Sequence, residues 1–319
     1  MSAVPAHRLA LYRAGASSDA RDERLSAGET AIAHSVLYAS LFDYPLTLAE
    51  LRQTLVESTQ TPSQMLSTYT SSPRLQERVE YRDGFFFPKG RHDLVAERRR
   101  REHHSREFLE AHRAFLAAVT SLPYVSMVAL SGSVAHLNVS GSGDLDLFIV
   151  TRGRRVWSIT VAIILLAKLL GRRKTVCANF VMADTRLVLD QPDLFTASQV
   201  IHLKPLIGEA TFRRLLAANP FVRRCYPNFH ESFCEGHLMR PRAWIRALKR
   251  AGEWGLLLPW LAVEPLCRLA YRTYLRRKSA SWESPEQVRL DADCLKLHTK
   301  SHRRSVLERF EELTSHTPV

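Results

Sequence analysis

A chain of 319 residues suffices for about two or three domains of roughly 100–200 residues each. With 45% apolar and 24% charged residues it has a globular composition, which excludes disorder throughout, collagen and coiled coil. Lys+Arg 45 against Asp+Glu 32 gives a net charge of +13, which favours an anionic partner: a nucleotide, a nucleic acid or a membrane surface.

Residues 1–27 are small, polar and charged, and read as a flexible arm without the apolar run of a secretory signal. Residues 28–90 read as a small module. Ile32, Val36, Leu37 and Leu41 recur at helical spacing, and Asp43-Tyr44-Pro45 ends that helix. Thr47 with Glu50 predicts a capping box, and so does Thr61 with Gln64, where Pro62 takes the favoured first helical position. Arg82-Asp83-Gly84 between two aromatic-rich runs predicts a hairpin, because its turn needs positive φ. Three helices followed by a hairpin is the order of a winged helix. Its third helix is a poor reader of DNA: no Lys or Arg occurs from Val56 to Pro73, and DNA affinity rests on neutralised phosphates. Specific DNA binding is therefore not expected, and a packing or partner-recognition role is.

Residues 91–120 read as one long linking helix, with the charge run Glu97 to Glu102 as a solvated face. Residues 121–205 alternate strand and helix. Strands are expected at Val125 to Leu130, Leu145 to Val150, Val176 to Met182 and Arg186 to Leu189, with a buried helix at Val156 to Leu170, giving a partly parallel sheet. Residues 206–319 read as mostly helical. Two apolar stretches, Val156 to Leu170 and Gly255 to Ala270, are too short or too interrupted to span a bilayer. Both read as packed helices. Peripheral membrane contact is the alternative, since Arg/Lys clusters lie close by. Trp244, Trp254, Trp260 and Trp282 read as core or interface packing. The five cysteines, Cys177, Cys225, Cys234, Cys267 and Cys294, include no C-x-x-C pair. They argue against a disulfide scaffold or a four-cysteine zinc site and for a reducing, cytoplasmic location.

The chemistry concentrates in one segment. Leu130-Ser131-Gly132-Ser133 ends a buried strand, and ten residues later Asp144-Leu145-Asp146 opens another. Gly132 lets the backbone approach a ligand, Ser131 and Ser133 offer hydroxyls, and backbone N–H groups at a helix start favour phosphate. Asp144 and Asp146 are two apart on a strand and so share a face. Two adjacent carboxylates repel unless a cation lies between them, and Mg²⁺ (or Mn²⁺) with phosphate oxygens suits them.

In these residues the chain resembles the DNA polymerase beta-like nucleotidyltransferase superfamily, whose pattern is an apolar residue, Gly-Ser, about ten residues and Asp-x-Asp leading into an apolar strand. The resemblance is strong over residues 125–151 and extends over about 121–205. With the winged helix and the run Leu41 to Thr47, the chain looks like a bacterial subgroup of uncharacterised nucleotidyltransferase-domain proteins. Asn179-Phe180, Leu203 to Leu206 and Leu297-His298 extend that likeness. The resemblance implies an α+β multidomain protein: arm 1–27, winged helix 28–90, linking helix 91–120, nucleotidyltransferase core 121–205 with a mixed sheet, and helical region 206–319. It implies transfer of a nucleoside monophosphate from an NTP to a hydroxyl acceptor, which is a small molecule, a protein side chain or an RNA end. Asp144 and Asp146 would be catalytic and metal-binding, and Ser131, Gly132 and Ser133 would bind nucleotide. The family's third carboxylate is missing from its expected strand, where Asn179 stands; Asp184 or Asp190, just beyond, are the substitutes. Two alternatives follow: a non-catalytic nucleotide-binding regulator acting through its winged helix, and a nucleotide-sugar-dependent transferase, since Asp-x-Asp occurs there too.

Overall fold

The computed structural model describes residues 24–141, 143–237, 239, 243–255 and 259–315. Residues 1–23 of the expected arm, Ser142 of the Gly/Ser-rich loop and residues 256–258 of the second apolar stretch lie outside the described residues. Among the described residues the protein has a mixed α/β architecture with one six-stranded sheet and one three-stranded sheet.

The N-terminal segment runs α1 (Ala27–Ser40), β1 (Leu46–Thr47), α2 (Leu48–Gln53), α3 (Pro62–Ser71), α4 (Pro73–Gln76), β2 (Val79–Arg82) and β3 (Phe85–Pro88). Capping boxes close α1 at Ser26/Glu29, α2 at Thr47/Glu50 and α3 at Thr61/Gln64. Asp83 and Gly84 take φ of 54° and 83° at the tip of the β2–β3 hairpin, and β1 pairs with the outer edge of β3. Ile32, Val36, Leu51, Met65 and Phe86 form the core, and Leu25 joins it, so packed structure begins before residue 28. α1 is covered on both sides. Ile32 and Val36 face this core, whereas Ser35, Tyr38 and Ala39 face a cavity shared with the rest of the chain.

α5 (Asp93–Thr120) carries the chain from this core to the next. Its charge run is not wholly solvated. Arg98 is buried and holds Glu50 with two hydrogen bonds of 2.7 and 2.8 Å, because Glu50 is already fixed as the cap of α2.

The remaining strands are β4 (Val125–Leu130), β5 (Leu145–Thr151), β6 (Val176–Ala183), β7 (Lys204–Ile207), β8 (Val288–Leu290) and β9 (Cys294–Leu297). The helices are α6 (Gly132–Ala135), α7 (Val156–Leu169), α8 (Leu194–Ile201), α9 (Glu209–Ala218), α10 (Phe221–Cys225), α11 (Ala243–Gly255), α12 (Pro259–Lys278) and α13 (Arg303–Ser315). The sheet order is β7-β4-β5-β6-β9-β8, with β5 and β6 parallel and the other pairs antiparallel. α5, α7 and α12 pack on one face through Phe115, Val119, Trp157, Ile163 and Leu275. α8, α9 and α10 pack on the other through Ala197, Ile201, Phe212 and Phe221.

Two expectations are corrected. Arg186 to Leu189 is not a strand. Leu187 and Leu189 are buried and Val188 is exposed, as alternation requires, but the backbone bonds to a side chain instead of a neighbouring strand. Asn219 Oδ1 accepts from Leu189 N–H at 2.9 Å and Asn219 Nδ2 donates to the Leu187 carbonyl at 2.7 Å. The region 206–319 is not only helical: it supplies β8 and β9, and β9 inserts beside β6. The stretch Val156 to Leu170 is helical over Val156–Leu169 as expected, buried along Val156 to Thr160, Ile163 and Ala167, with Leu165, Leu169 and Leu170 exposed. The described part of Gly255 to Ala270 is otherwise, with Leu261, Leu266 and Leu269 turned to solvent. Among the described residues no helix is long and apolar enough to cross a membrane.

Candidate functional site

β4 ends at Leu130, and the Ser131 N–H donates to the Asp146 carbonyl at 3.0 Å, which ties the Ser131-Gly132-Ser133 turn to the start of β5. Gly132 has φ 62°, in the left-handed region that glycine tolerates. A Cβ there would collide with Asp146 Oδ2, so this glycine is needed for both conformation and space. Leu145, Leu147 and Ile149 point into one core, and Phe148 and Val150 into the other. Asp146 therefore lies on the second face, with exposed Asp144 at the mouth.

Asn179 comes to Asp146 from β6. Its Nδ2 donates directly to Asp146 Oδ1 at 2.5 Å. The β5–β6 register shifts between the pairs Asp146↔Cys177 and Phe148↔Phe180. That is an extra residue on β6, a β-bulge. It leaves Asn179 and Phe180 both on the site's face, whereas simple alternation separates them. Val181 consequently packs in the first core, while the Phe180 ring meets Phe148 edge-on at 4.8 Å.

These groups line a cavity of about 680 Å³ that holds Ser131, Gly132, Ser133, Asp144, Asp146, Cys177 and Asn179 along one wall. α1 and the loop after it form a second wall with Tyr38, Phe42 and Tyr44; α8 adds Phe195 and Gln199; the segment after β9 adds His298, Thr299 and Ser301. Burial pushes the Asp146 carboxyl up to about 7, and the charge of Asp144 adds to this. Burial together with the same two carboxylates pushes the Cys177 thiol up to about 12. The rings of His136 and His202 lie against each other with centroids 4.0 Å apart and planes tilted by 34°, and Tyr44 meets His136 edge-on. Burial depresses His136 well below the usual histidine value and lowers His202 and His298 to about 4, so all three are neutral at pH 7.

All of the sequence-identified residues but two meet here. Asp184 stands at the far end of β6, where its carboxylate accepts from the Gly153 N–H at 2.8 Å. Asp190 is likewise elsewhere, paired with Arg186 and Arg289. Neither completes a carboxylate triad, and among the described residues no group of three His, Cys, Asp or Glu side chains could hold a metal by themselves. Sequence reasoning missed Tyr38, Phe195, Gln199, His136 and His202, which carry no motif and arrive through packing. Phe42, Tyr44, Leu46, Asn179, Leu297 and His298 line the cavity, whereas the run Leu203 to Leu206 contributes no lining residue.

Comparison with known proteins finds no matching family model, no matching curated protein and no matching solved structure.

Proposed function

We propose that the chain is a nucleotidyltransferase of the polymerase beta-like kind, with a winged helix preceding its core. It moves a nucleoside monophosphate from an NTP to a hydroxyl acceptor and releases pyrophosphate. The observation that carries this reading is the Asp146 carboxylate, held against the positive-φ turn at Gly132 beside Asp144 in one cavity. Among the described residues neither carboxylate has an ion-pair partner, and Asp146 resists ionisation. A site of this kind suits Mg²⁺ or Mn²⁺, which typically takes one or two carboxylates and completes its shell with phosphate and water oxygens. Asp144 and Asp146 would hold the ion, which when bound neutralises phosphate charge and stabilises the leaving pyrophosphate. The Ser131-Gly132-Ser133 turn would take the phosphates. Asn179 orients Asp146 through its 2.5 Å bond without adding a third negative charge. In this reading the winged helix supplies a wall of the cavity through α1, and DNA reading is not its role. The five cysteines are all free thiols, in keeping with a cytoplasmic setting.

One observation favours a second reading. With Asn179 in place of a carboxylate, the third position cannot accept a proton, which suits a nucleotide-binding regulator. The two readings separate in one experiment: each NTP labelled at the α-phosphate is incubated with Mg²⁺ and cell extract, and binding and label transfer are measured. Transfer of α-label that Asp144→Asn and Asp146→Asn abolish supports the enzyme. Mg²⁺-dependent binding without transfer supports the regulator. Absence of Mg²⁺-dependent NTP binding overturns both.

A further inference from the structure

α11 inverts the usual order of an amphipathic helix at a protein surface. Its polar residues Lys249 and Glu253 face the protein. Lys249 Nζ donates to the carbonyls of Thr120 and Val125 at 3.1 and 2.7 Å. Glu253 accepts from the Tyr124 N–H at 3.0 Å and from Arg152 at 2.7 Å. These four bonds fix the helix rotation. Trp244, Leu248 and Trp254, on the opposite side, are 61%, 66% and 80% exposed. α12 does the same. Its Glu264 accepts from the N–H groups of Trp157 and Ser158 at 3.0 and 2.9 Å, capping α7, while Leu266 and Leu269 point outward. Leu169, at the end of α7, is 82% exposed.

The charge around this apolar face is one-sided. Residues 243–278 hold eight Lys/Arg and two Glu, and both glutamates are the inward-facing ones just described. Among the described residues Arg246, Arg250, Arg276 and Arg277 have no carboxylate partner. Exposed apolar side chains, tryptophans near both ends of α11 and a cationic border are the features of a helix that lies in a bilayer interface. A second copy of the chain fits less well, because an isologous pairing would press two equally cationic borders together.

We infer that α11, α12 and the end of α7 form a docking face for an anionic lipid bilayer, on which the protein lies without spanning it. α7 and α12 cover the sheet face opposite Asp146. A docked molecule therefore keeps its cavity open to solvent, and nucleotide binding is independent of docking.

The test is sedimentation of the full chain with phosphatidylcholine vesicles, neutral or containing about one third phosphatidylglycerol. The chain is expected to pellet with the anionic vesicles and to leave them as salt is raised. Joint Trp244→Ser, Leu248→Ser and Trp254→Ser substitution should lower partitioning by about tenfold or more. Arg246→Glu with Arg250→Glu should remove the preference for anionic lipid. Tryptophan emission of the wild-type chain should shift to the blue on adding anionic vesicles, a readout that needs no variant. No pelleting with anionic vesicles, or equal pelleting of wild type and the triple variant, would overturn the proposal. So would a homodimer in sedimentation velocity that the triple variant dissociates, which would assign the face to a second copy, or saturable binding of an acidic protein with no vesicle binding.

Discussion

Asn179 donates directly to Asp146, from a bulge in the neighbouring parallel strand, to a carboxylate that burial pushes up to about 7. Asn179→Asp would set a second carboxylate where a donor stands. Without divalent cations the variant should lose about 1–3 kcal/mol of stability through like-charge repulsion. Mg²⁺ or Mn²⁺ should restore it. Thermal melts in EDTA and in each cation check this, and a variant melting like wild type in EDTA would contradict the geometry.

Gly132→Ala tests the turn. The added methyl meets Asp146 Oδ2 and the backbone conformation is strained for any L side chain, so the cost should be about 1–3 kcal/mol. NTP binding should fall with it, because Asp146 must rotate away. Calorimetric titration of NTP with Mg²⁺, beside a urea melt, measures both.

Glu50 and Arg98 form a buried pair further held by Thr47 and Tyr44. Glu50→Ala leaves a buried guanidinium uncompensated and should cost about 3–5 kcal/mol. Glu50→Ala combined with Arg98→Met should recover a large part of that. Urea unfolding of the two single variants and the double variant gives the coupling. Because Tyr44 and Leu46 line the cavity, Glu50→Ala should also weaken NTP binding.

His136, His202 and His298 make the fold sensitive to acid. Each has a folded value below the ordinary histidine value near 6.5, so the unfolded chain binds more protons between there and about 4, and stability falls as pH drops through that window. Asp146, raised to about 7, acts in the opposite sense over the same range, but as one group against three. Replacing His202 with Asn should flatten the acid slope by about 1.4 kcal/mol per pH unit. Urea melts between neutral pH and pH 5 read this directly.

The parts legible in the sequence are those fixed by local bonds. Thr47/Glu50 and Thr61/Gln64 announce helix starts because each cap satisfies its own backbone, and Asp83-Gly84 announces a turn because few residues accept its φ. Alternation along Leu145 to Ile149 also aims Asp146 correctly. Alternation fails on β6, because a bulge adds a residue without any mark in the sequence. It misleads at Leu187 to Leu189, where the hydrogen-bonding partner is Asn219, thirty residues on. Reading residues 206–319 as mostly helical covers α11 but does not say which side is inward, since its inward contacts are made by Lys249 and Glu253.

The position of β9 bears on how the protein is made. β6 waits for Cys294–Leu297 to pair with its outer edge, more than a hundred residues of synthesis after β6 itself appears. Until then the growing polypeptide presents an open strand edge, the kind of surface that recruits wrong partners, and long-range closure of this sort is slow. Chaperone protection of ribosome-bound intermediates ending before residue 294 follows from this. So does the incompleteness of their cavity, because the wall carrying His298 and Ser301 has not yet been translated.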